Sequence, residues 1–244
     1  MTLRAADAAE FLMQQLPLGV RIRDRAVFGT FLPARNTQAV DHLQLVAGGH
    51  RFETTWICGP RGSGKTHLLQ AVCVQASENV QAAYYPMREL MSLGVGVLEE
   101  VPQLACLCID DVDAITGQRE WERALFVVLR DMQERGARLV MSAEVPPALV
   151  QWSLPDLGSR CAASAVFQLR ALDEEEQQEA LKLRARVRGF ELPDDTARWL
   201  QRRLPRDMHT LYDLLDTLDE ASLVAQRRLT VPFIRTILKT DGAS

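Results

Sequence analysis

The eight residues GPRGSGKT (59–66) fit the pattern G-x-x-x-x-G-K-[ST], and the segments on either side of them indicate the fold. The apolar run TTWIC (54–58) precedes them, and the helical run KTHLLQAVCVQA (65–76) begins inside them. A glycine-rich turn between a strand and a helix lets backbone N–H groups surround phosphate oxygens, and the helix N-terminus adds its positive dipole. We therefore predict a nucleotide site. Its phosphate-binding residues are Gly59, Gly62, Gly64, Lys65 and Thr66.

The loop and a second segment together predict how phosphate and metal are held. Lys65 is expected to reach the β- and γ-phosphates, and Thr66 to ligate Mg²⁺. The run LACLCIDD (104–111) is an apolar strand that ends in two acids. Asp110, at the tip of that strand, is expected to hold Mg²⁺. Asp111 stands where many P-loop ATPases carry a glutamate that positions the attacking water, and its side chain is one methylene shorter.

A third polar strand end follows in RLVMSAE (138–144). In many P-loop ATPases a polar group at this place lies between the acidic and phosphate elements and senses the γ-phosphate. Ser142 and Glu144 are both candidates for this sensor, and the sequence does not choose between them.

The order of strands and helices predicts an α/β fold with a parallel sheet. Apolar strands alternate with helices up to residue 172, which is the pattern of βαβ units. The predicted strands are 54–58, 82–86, 104–110, 137–143 and 165–172, and the helices are 65–76, 87–100 and 119–136. After that, Asp173 and Glu176 form a capping-box pattern that opens an all-helical region. We predict a tail (1–25), an α/β nucleotide-binding domain (26–172) and a helical lid domain (173–244).

Composition excludes several kinds of protein. The formal charge of −4 gives no support to bulk, non-specific binding of nucleic acid, which usually needs a strongly basic face. No run of eighteen apolar residues and no signal-peptide pattern occur, so we expect a cytoplasmic protein with no membrane span. The five cysteines lack further ligands at metal-binding spacing, and we expect them to be reduced and buried.

Four stretches carry a family resemblance: LPDLGSR (154–160), LRARVRGFELPDD (183–195), RDMHTL (206–211) and AQRRLTVPFI (225–234). With the motifs above, they make the chain resemble AAA+ ATPases of the branch that contains the bacterial replication initiator DnaA. The C-terminal half is more similar to one family in that branch, the regulatory inactivators of DnaA (the Hda family). The resemblance extends from about residue 26 to residue 239.

This resemblance implies roles for residues that composition and spacing leave unexplained. Arg160 would be an arginine finger, although an arginine that ends a short apolar turn is more often an ordinary surface residue. Arg206 would be the lid arginine that touches the nucleotide. The segment AVFGTFLPARN (26–36) would pack beside the adenine, with either Phe28 or Phe31 near the base.

The N-terminal stretch QQLPLGV (14–20) resembles the peptide with which this family binds the sliding clamp. Gln15 would make polar contacts, while Leu16 and Leu18 would fill an apolar pocket on the clamp. Many clamp-binding peptides continue with an aromatic residue, and this sequence has none after Leu18. An alternative is a short amphipathic stretch that packs on the protein itself.

The resemblance implies a regulator of replication initiation that binds ADP or ATP and Mg²⁺. It would dock on the DNA-loaded sliding clamp of DNA polymerase III, contact DNA only indirectly and stimulate ATP hydrolysis by DnaA, with weak hydrolysis of its own. The sequence does not determine whether the chain self-associates. The chain stops soon after the lid, so we expect no helix-turn-helix domain of the kind that DnaA carries. The alternatives are a helicase-loader or transposition-helper ATPase, and a stand-alone ATPase or small-molecule kinase.

Overall fold

The computed structural model describes residues 26–99, 101 and 104–203. At its centre is a five-stranded sheet in the order β2-β3-β4-β1-β5, and every neighbouring pair of strands is parallel. The parallel sheet confirms the predicted α/β class. The strands are β1 Thr55–Cys58, β2 Ala82–Pro86, β3 Cys106–Asp110, β4 Arg138–Ala143 and β5 Ala165–Gln168.

Helices connect these strands in the alternation that the sequence predicts. They are α1 Thr37–Ala47, α2 Lys65–Ser77, α3 Met87–Leu90, α4 Gly96–Glu99, α5 Arg119–Glu134 and α6 Pro155–Ala162. One prediction differs from the structure, because the expected helix 87–100 is broken into α3, a 3₁₀ turn (Met91–Leu93) and α4. Gly94 adopts φ +93°, which an α-helix does not allow, and so the two short helices stay separate.

The middle strands β1, β3 and β4 are buried along their whole length, which explains their uninterrupted apolar runs. Successive side chains of β1 enter different cores, since neighbours on a strand point to opposite faces. Trp56 packs in one core with residues of α5, and Ile57 packs in the other with residues of α1 and α2. Cys106 and Cys108 share the second core, on one face of β3. Cys58, Cys106, Cys108 and Cys161 are buried as predicted, whereas Cys73 on α2 is half-buried.

The structure divides into two compact units between Ala171 and Leu172. The described part of the second unit contains α7 Glu174–Val187 and α8 Asp194–Arg203. The predicted capping box is present, because the Asp173 carboxylate accepts from the backbone N–H groups of Glu175 and Glu176, and the Glu176 carboxylate accepts from that of Asp173. Among the helices described, none has the length and apolar composition needed to cross a membrane.

Candidate nucleotide site

The predicted phosphate loop joins β1 to α2 and has a backbone that requires glycine. Gly64 adopts φ +92°, and a Cβ at this position would lie 2.5 Å from a ring carbon of Phe31. Gly59 is equally restricted, since a Cβ there would lie 2.7 Å from the carbonyl oxygen of Leu169. Both glycines therefore allow a close approach of neighbouring atoms that any other residue would prevent.

Lys65 begins α2 and points into the loop that precedes it. Its ammonium donates to the carbonyl oxygens of Gly59, at 2.8 Å, and Pro60, at 3.2 Å, and only 7% of the residue is exposed. The buried hydroxyl of Ser63 has no hydrogen-bond partner within the described part of the chain. A positive charge, an unused hydroxyl and a helix N-terminus meet in this loop, and all three suit a phosphate group.

Asp110 lies at the end of β3, next to the loop, and is 3% exposed. Its carboxylate accepts hydrogen bonds from the hydroxyls of Thr66 and Tyr84, each at 2.7 Å, and from the hydroxyl of Ser142. All three donors are neutral, and no lysine or arginine in the described residues forms an ion pair with this buried carboxylate. Such a charge needs a partner. Mg²⁺ fits, since it prefers carboxylate and hydroxyl oxygens.

Tyr84 belongs to this group although the sequence gives no sign of it. It lies on β2, where it is paired with Cys108 of β3, two residues before Asp110. Burial, together with the negative charge of Asp110, raises the pKa of Tyr84, so the phenol stays protonated and donates. The contact follows from the pairing of β2 with β3 in the sheet. The sequence gives only the order of the strands along the chain, which does not say which strands are neighbours in the sheet.

Asp111, the predicted water-positioning residue, follows in a left-handed conformation with φ 53°. Its backbone N–H donates to the hydroxyl of Ser142 at 3.0 Å, which fixes the turn after β3. Its carboxylate forms an ion pair with Arg88, 2.7 Å from Nε. This hydrogen bond, followed by the negative charges of Asp111, Asp113 and Glu144, raises the pKa of Arg88. The sequence gives no sign of a role for Arg88, which lies in α3 immediately after β2.

The structure separates the two candidates for the third polar group. Ser142 is fully buried on β4 and contacts both Asp110 and the backbone of Asp111. Glu144 is exposed beyond the end of that strand, where its backbone N–H donates to Asp113 at 3.3 Å. Ser142 is therefore the residue that connects the two acids.

The segment before α1 lies against the phosphate loop through Phe31. The Phe31 ring packs on Gly64 and contacts the ring of His67 edge to face, with 5.4 Å between centroids. His67, on α2, is also 3.0 Å from the carbonyl oxygen of Val27. Phe28 and Phe31 both pack against the second core, and Phe31 also touches the loop through Gly64.

Arg160 is not part of this group. It lies in the last turn of α6, where its guanidinium donates to the side-chain oxygen of Gln133 at 2.8 Å. Gln133 in turn is 3.4 Å from the hydroxyl of Thr54, the residue that precedes β1. The phosphate loop follows the other end of β1. At about 3.3 Å per residue the strand is roughly 13 Å long, so Arg160 and the chain's own phosphate loop are at opposite ends of it.

Four predicted site residues, Gln15, Leu16, Leu18 and Arg206, lie outside the described residues. The structure brings together Gly59, Gly64, Lys65, Thr66, Asp110, Asp111 and Ser142. Glu144 is exposed at the margin of this group, where its charge acts on Arg88, and Arg160 is at the other end of β1.

Comparison with known proteins gives the fold a family. Residues 22–164 match the family described as the bacterial DnaA ATPase domain, and residues 173–238 match the family described as the Hda lid domain.

Solved structures of similar fold include three from thermophilic bacteria. Domain III of the Thermotoga maritima replication initiation protein DnaA is 20% identical, with a TM-score of 0.70, over 88% of this chain and 96% of that one. AMPPCP-bound DnaA from Aquifex aeolicus is 17% identical, with a TM-score of 0.64, over 80% of this chain and 66% of that one. A Thermotoga maritima RuvB variant is 16% identical, with a TM-score of 0.58, over 87% of this chain and 73% of that one.

The DnaA family match alone covers more than half of the chain, and the phosphate loop, Asp110 and Asp111 lie within it. The chain therefore belongs to the family of bacterial DnaA ATPase domains, the DnaA branch of the AAA+ ATPases, and is of the Hda type.

Proposed function

We propose that this protein regulates replication initiation by binding ADP or ATP with Mg²⁺ and stimulating ATP hydrolysis in the initiator DnaA. Membership of the DnaA branch and the Hda-type lid support a role beside DnaA. The observation that carries the proposal is the position of Arg160, at the opposite end of β1 from the chain's own phosphate loop. From there the guanidinium serves a nucleotide held by another subunit.

Arg160 suits action on a neighbour's nucleotide. A guanidinium is planar, always charged and able to donate to two phosphate oxygens at once. Its contact in the described structure is the neutral Gln133 amide, so its positive charge is not cancelled. Placed against the γ-phosphate of DnaA-bound ATP, it stabilises the charge that develops during transfer. Arginines supplied by a partner in this way accelerate hydrolysis on the order of a thousandfold or more.

The chain's own site is built to hold a nucleotide and hydrolyse it slowly. Lys65 and the loop N–H groups would bind the phosphates, and Thr66 and Asp110 would hold Mg²⁺, which would supply positive charge to a bound nucleotide. Asp111, the residue predicted to orient water, is paired with Arg88. A carboxylate held by a guanidinium is less free to turn towards a water molecule, which fits a protein whose main task is to activate hydrolysis in a partner.

Clamp docking is the second half of the proposal. Gln15, Leu16 and Leu18 would bind the sliding clamp of DNA polymerase III and bring the protein to DNA through the clamp alone. Converting DnaA to its ADP form at the clamp would make this protein an inhibitor of further initiation.

The experiment for Arg160 is a single-turnover assay with labelled ATP preloaded on DnaA, in the presence of clamp and DNA. Arg160→Ala should lose most of the stimulation while it keeps its melting temperature and its affinity for ADP and ATP. Arg160→Lys keeps one charge but loses the planar pair of donors, so it should retain a small part of the stimulation. Wild-type stimulation by Arg160→Ala would leave Arg160 as an ordinary surface arginine.

A triple variant, Gln15→Ala with Leu16→Ala and Leu18→Ala, tests the docking step. We expect clamp affinity to disappear in a pull-down or surface-binding assay, with an unchanged melting temperature on the same sample. A fall of several degrees in melting temperature would show instead that the stretch packs on the protein. A wild-type protein that does not bind the clamp would favour the helicase-loader or transposition-helper reading.

A further inference from the structure

Gln133 holds Arg160 in a fixed direction through a pair of side-chain contacts. Its amide oxygen accepts from the Arg160 guanidinium at 2.8 Å, and its amide nitrogen is 3.4 Å from the hydroxyl of Thr54. The first contact settles which end of the amide carries the oxygen, because a guanidinium only donates, and the Thr54 hydroxyl is then left to accept from the amide nitrogen. Arg160 therefore meets an acceptor whose other end contacts Thr54, the residue that precedes β1.

A neutral acceptor has a specific advantage at this place. An ion pair would orient the guanidinium and also neutralise it, as Asp111 does for Arg88. The Gln133 amide orients Arg160 and leaves its positive charge available for a phosphate. The guanidinium carbon also lies 5.0 Å from the centre of the Phe126 ring, so one face of the group is covered. No other side chain in the described part of the protein bonds to it, and donors remain for a ligand.

The helix that carries Arg160 is also fixed at its beginning by α5. Glu122 is fully buried and accepts from the backbone N–H groups of Gly117, Ser153 and Leu154, the last two of which immediately precede α6. Trp152 lies close against α6, where a Cβ on Gly158 would be 3.1 Å from its ring. With the start of α6 fixed, a single contact to the end of the Arg160 side chain is enough to set its direction.

We propose that Gln133 is a positioning residue for Arg160, which it holds extended and charged before the partner's nucleotide arrives. This inference rests on the proposed function, since it assigns a means of preorganisation to the same finger. Preorganised groups lose less conformational freedom in the transition state, so the benefit is expected in the rate of the chemical step and not in docking.

The test measures DnaA-bound ATP hydrolysis over a range of concentrations of this protein, with clamp and DNA present. Gln133→Leu has a similar volume and loses both hydrogen bonds. We expect its maximal rate to fall about three- to tenfold, the usual net effect of one ordinary hydrogen bond, because the contact orients Arg160 and does not itself touch the nucleotide. The half-saturating concentration should stay unchanged. Gln133→Glu keeps an acceptor but adds a charge that pairs with Arg160, so its maximal rate should fall at least as far.

Two comparisons separate positioning from a general structural effect. In the Arg160→Ala background, Gln133→Leu should have no further effect, because the group that it orients is absent. Gln118→Leu replaces an exposed glutamine that immediately precedes α5 and does not contact Arg160, and it should behave as wild type. A raised half-saturating concentration at an unchanged maximal rate would make Gln133 a partner contact and overturn the inference. A further fall in maximal rate caused by Gln133→Leu in the Arg160→Ala background would also overturn the inference.

A readout without DnaA keeps this inference separate from the proposed function. In NMR spectra of protein labelled at arginine, the guanidinium N–H signals report side-chain mobility. The signal that is missing in the Arg160→Lys variant belongs to Arg160. Gln133→Leu should make that group more mobile. If the signal changes but Arg160→Ala stimulates hydrolysis normally, the proposed function fails and with it the catalytic meaning of the contact. If Arg160→Ala is inactive but the signal and rate of Gln133→Leu are those of wild type, only the positioning role fails.

Discussion

The guanidinium of Arg88 lies 2.7 Å from the carboxylate of Asp111 and forms an ion pair with it. Arg88 follows β2 and Asp111 follows β3, and the two strands are parallel neighbours. Their carboxyl ends therefore meet at the same edge of the sheet, beside the phosphate loop. The pair restrains the side chain that we expect to orient water for the chain's own ATP hydrolysis.

Replacing Arg88 with methionine should raise the chain's own ATPase rate several-fold. Methionine keeps the length of the side chain but removes the ion pair, so the Asp111 carboxylate is free to orient water. Steady-state phosphate release from the protein alone measures this, with ADP affinity expected to stay unchanged. Arg88→Lys retains a positive charge and should remain slow, and adding Asp111→Asn should cancel the gain. A rate that is unchanged or lower in Arg88→Met would rule out the restraint.

Lys65→Ala should weaken the binding of ATP and ADP by roughly ten- to a hundredfold, the range of one or more lost charge-assisted hydrogen bonds. Lys65 is the buried cation of the loop, whereas Arg61 is exposed at a variable position of the same motif. Arg61→Ala is thus the matched control and should bind nearly as wild type. Titration calorimetry with both nucleotides gives the comparison. Retained affinity in Lys65→Ala would contradict the phosphate-site assignment.

Gly64→Ala should lower the free energy of unfolding by about 1–3 kcal/mol, the usual cost of a backbone held in a sparsely populated region. A Cβ at this position also meets Phe31 at 2.5 Å, so the Phe31 ring must move away from the loop and nucleotide affinity should fall as well. Gly29→Ala is the control, since a Cβ there has no atom within 4 Å although it lies in the same segment as Phe31. Denaturant unfolding with and without ADP measures both effects. Equal stability of the two variants would show that the loop accommodates a side chain.

His42 should make stability depend on pH near neutrality. Burial, and to a lesser extent the charge of Arg51, lowers its pKa below the ordinary 6.5, while Glu53 acts in the opposite direction. Its ring bonds to the Thr55 hydroxyl at 2.9 Å and stacks against Phe167. Below pH 6.5 the unfolded chain binds a proton that the folded chain resists, so stability falls as the pH drops from 6.5 towards the lowered pKa.

The His42→Gln variant keeps a side chain that can bond to Thr55 and removes the titration. Its free energy of unfolding should therefore lose less than that of the wild type between pH 7 and pH 5.5, measured by urea titration at each pH. Identical pH profiles for the two proteins would assign the dependence to other groups.

Local patterns in the sequence were enough to predict the α/β class, the glycine-rich turn between β1 and α2, and the two acids at the end of β3. The reason is that each rests on contiguous residues. The glycines before Lys65 give the turn, the apolar run before Asp110 gives a buried strand, and the Asp173–Glu176 pair caps a helix over four residues. The long helix expected at 87–100 failed for a local reason too, since Gly94 breaks it.

Contacts between segments distant in the chain had to come from the tertiary structure. Tyr84 reaches Asp110 across 26 positions, Ser142 across 32, and Arg160 reaches Gln133 across 27. The order of strands in the sheet differs from their order in sequence, so no local pattern says which strand ends become neighbours. The choice of Ser142 over Glu144, the restraint of Asp111 by Arg88 and the position of Arg160 at the far end of β1 all follow from that order, because it determines which side chains share an edge of the sheet.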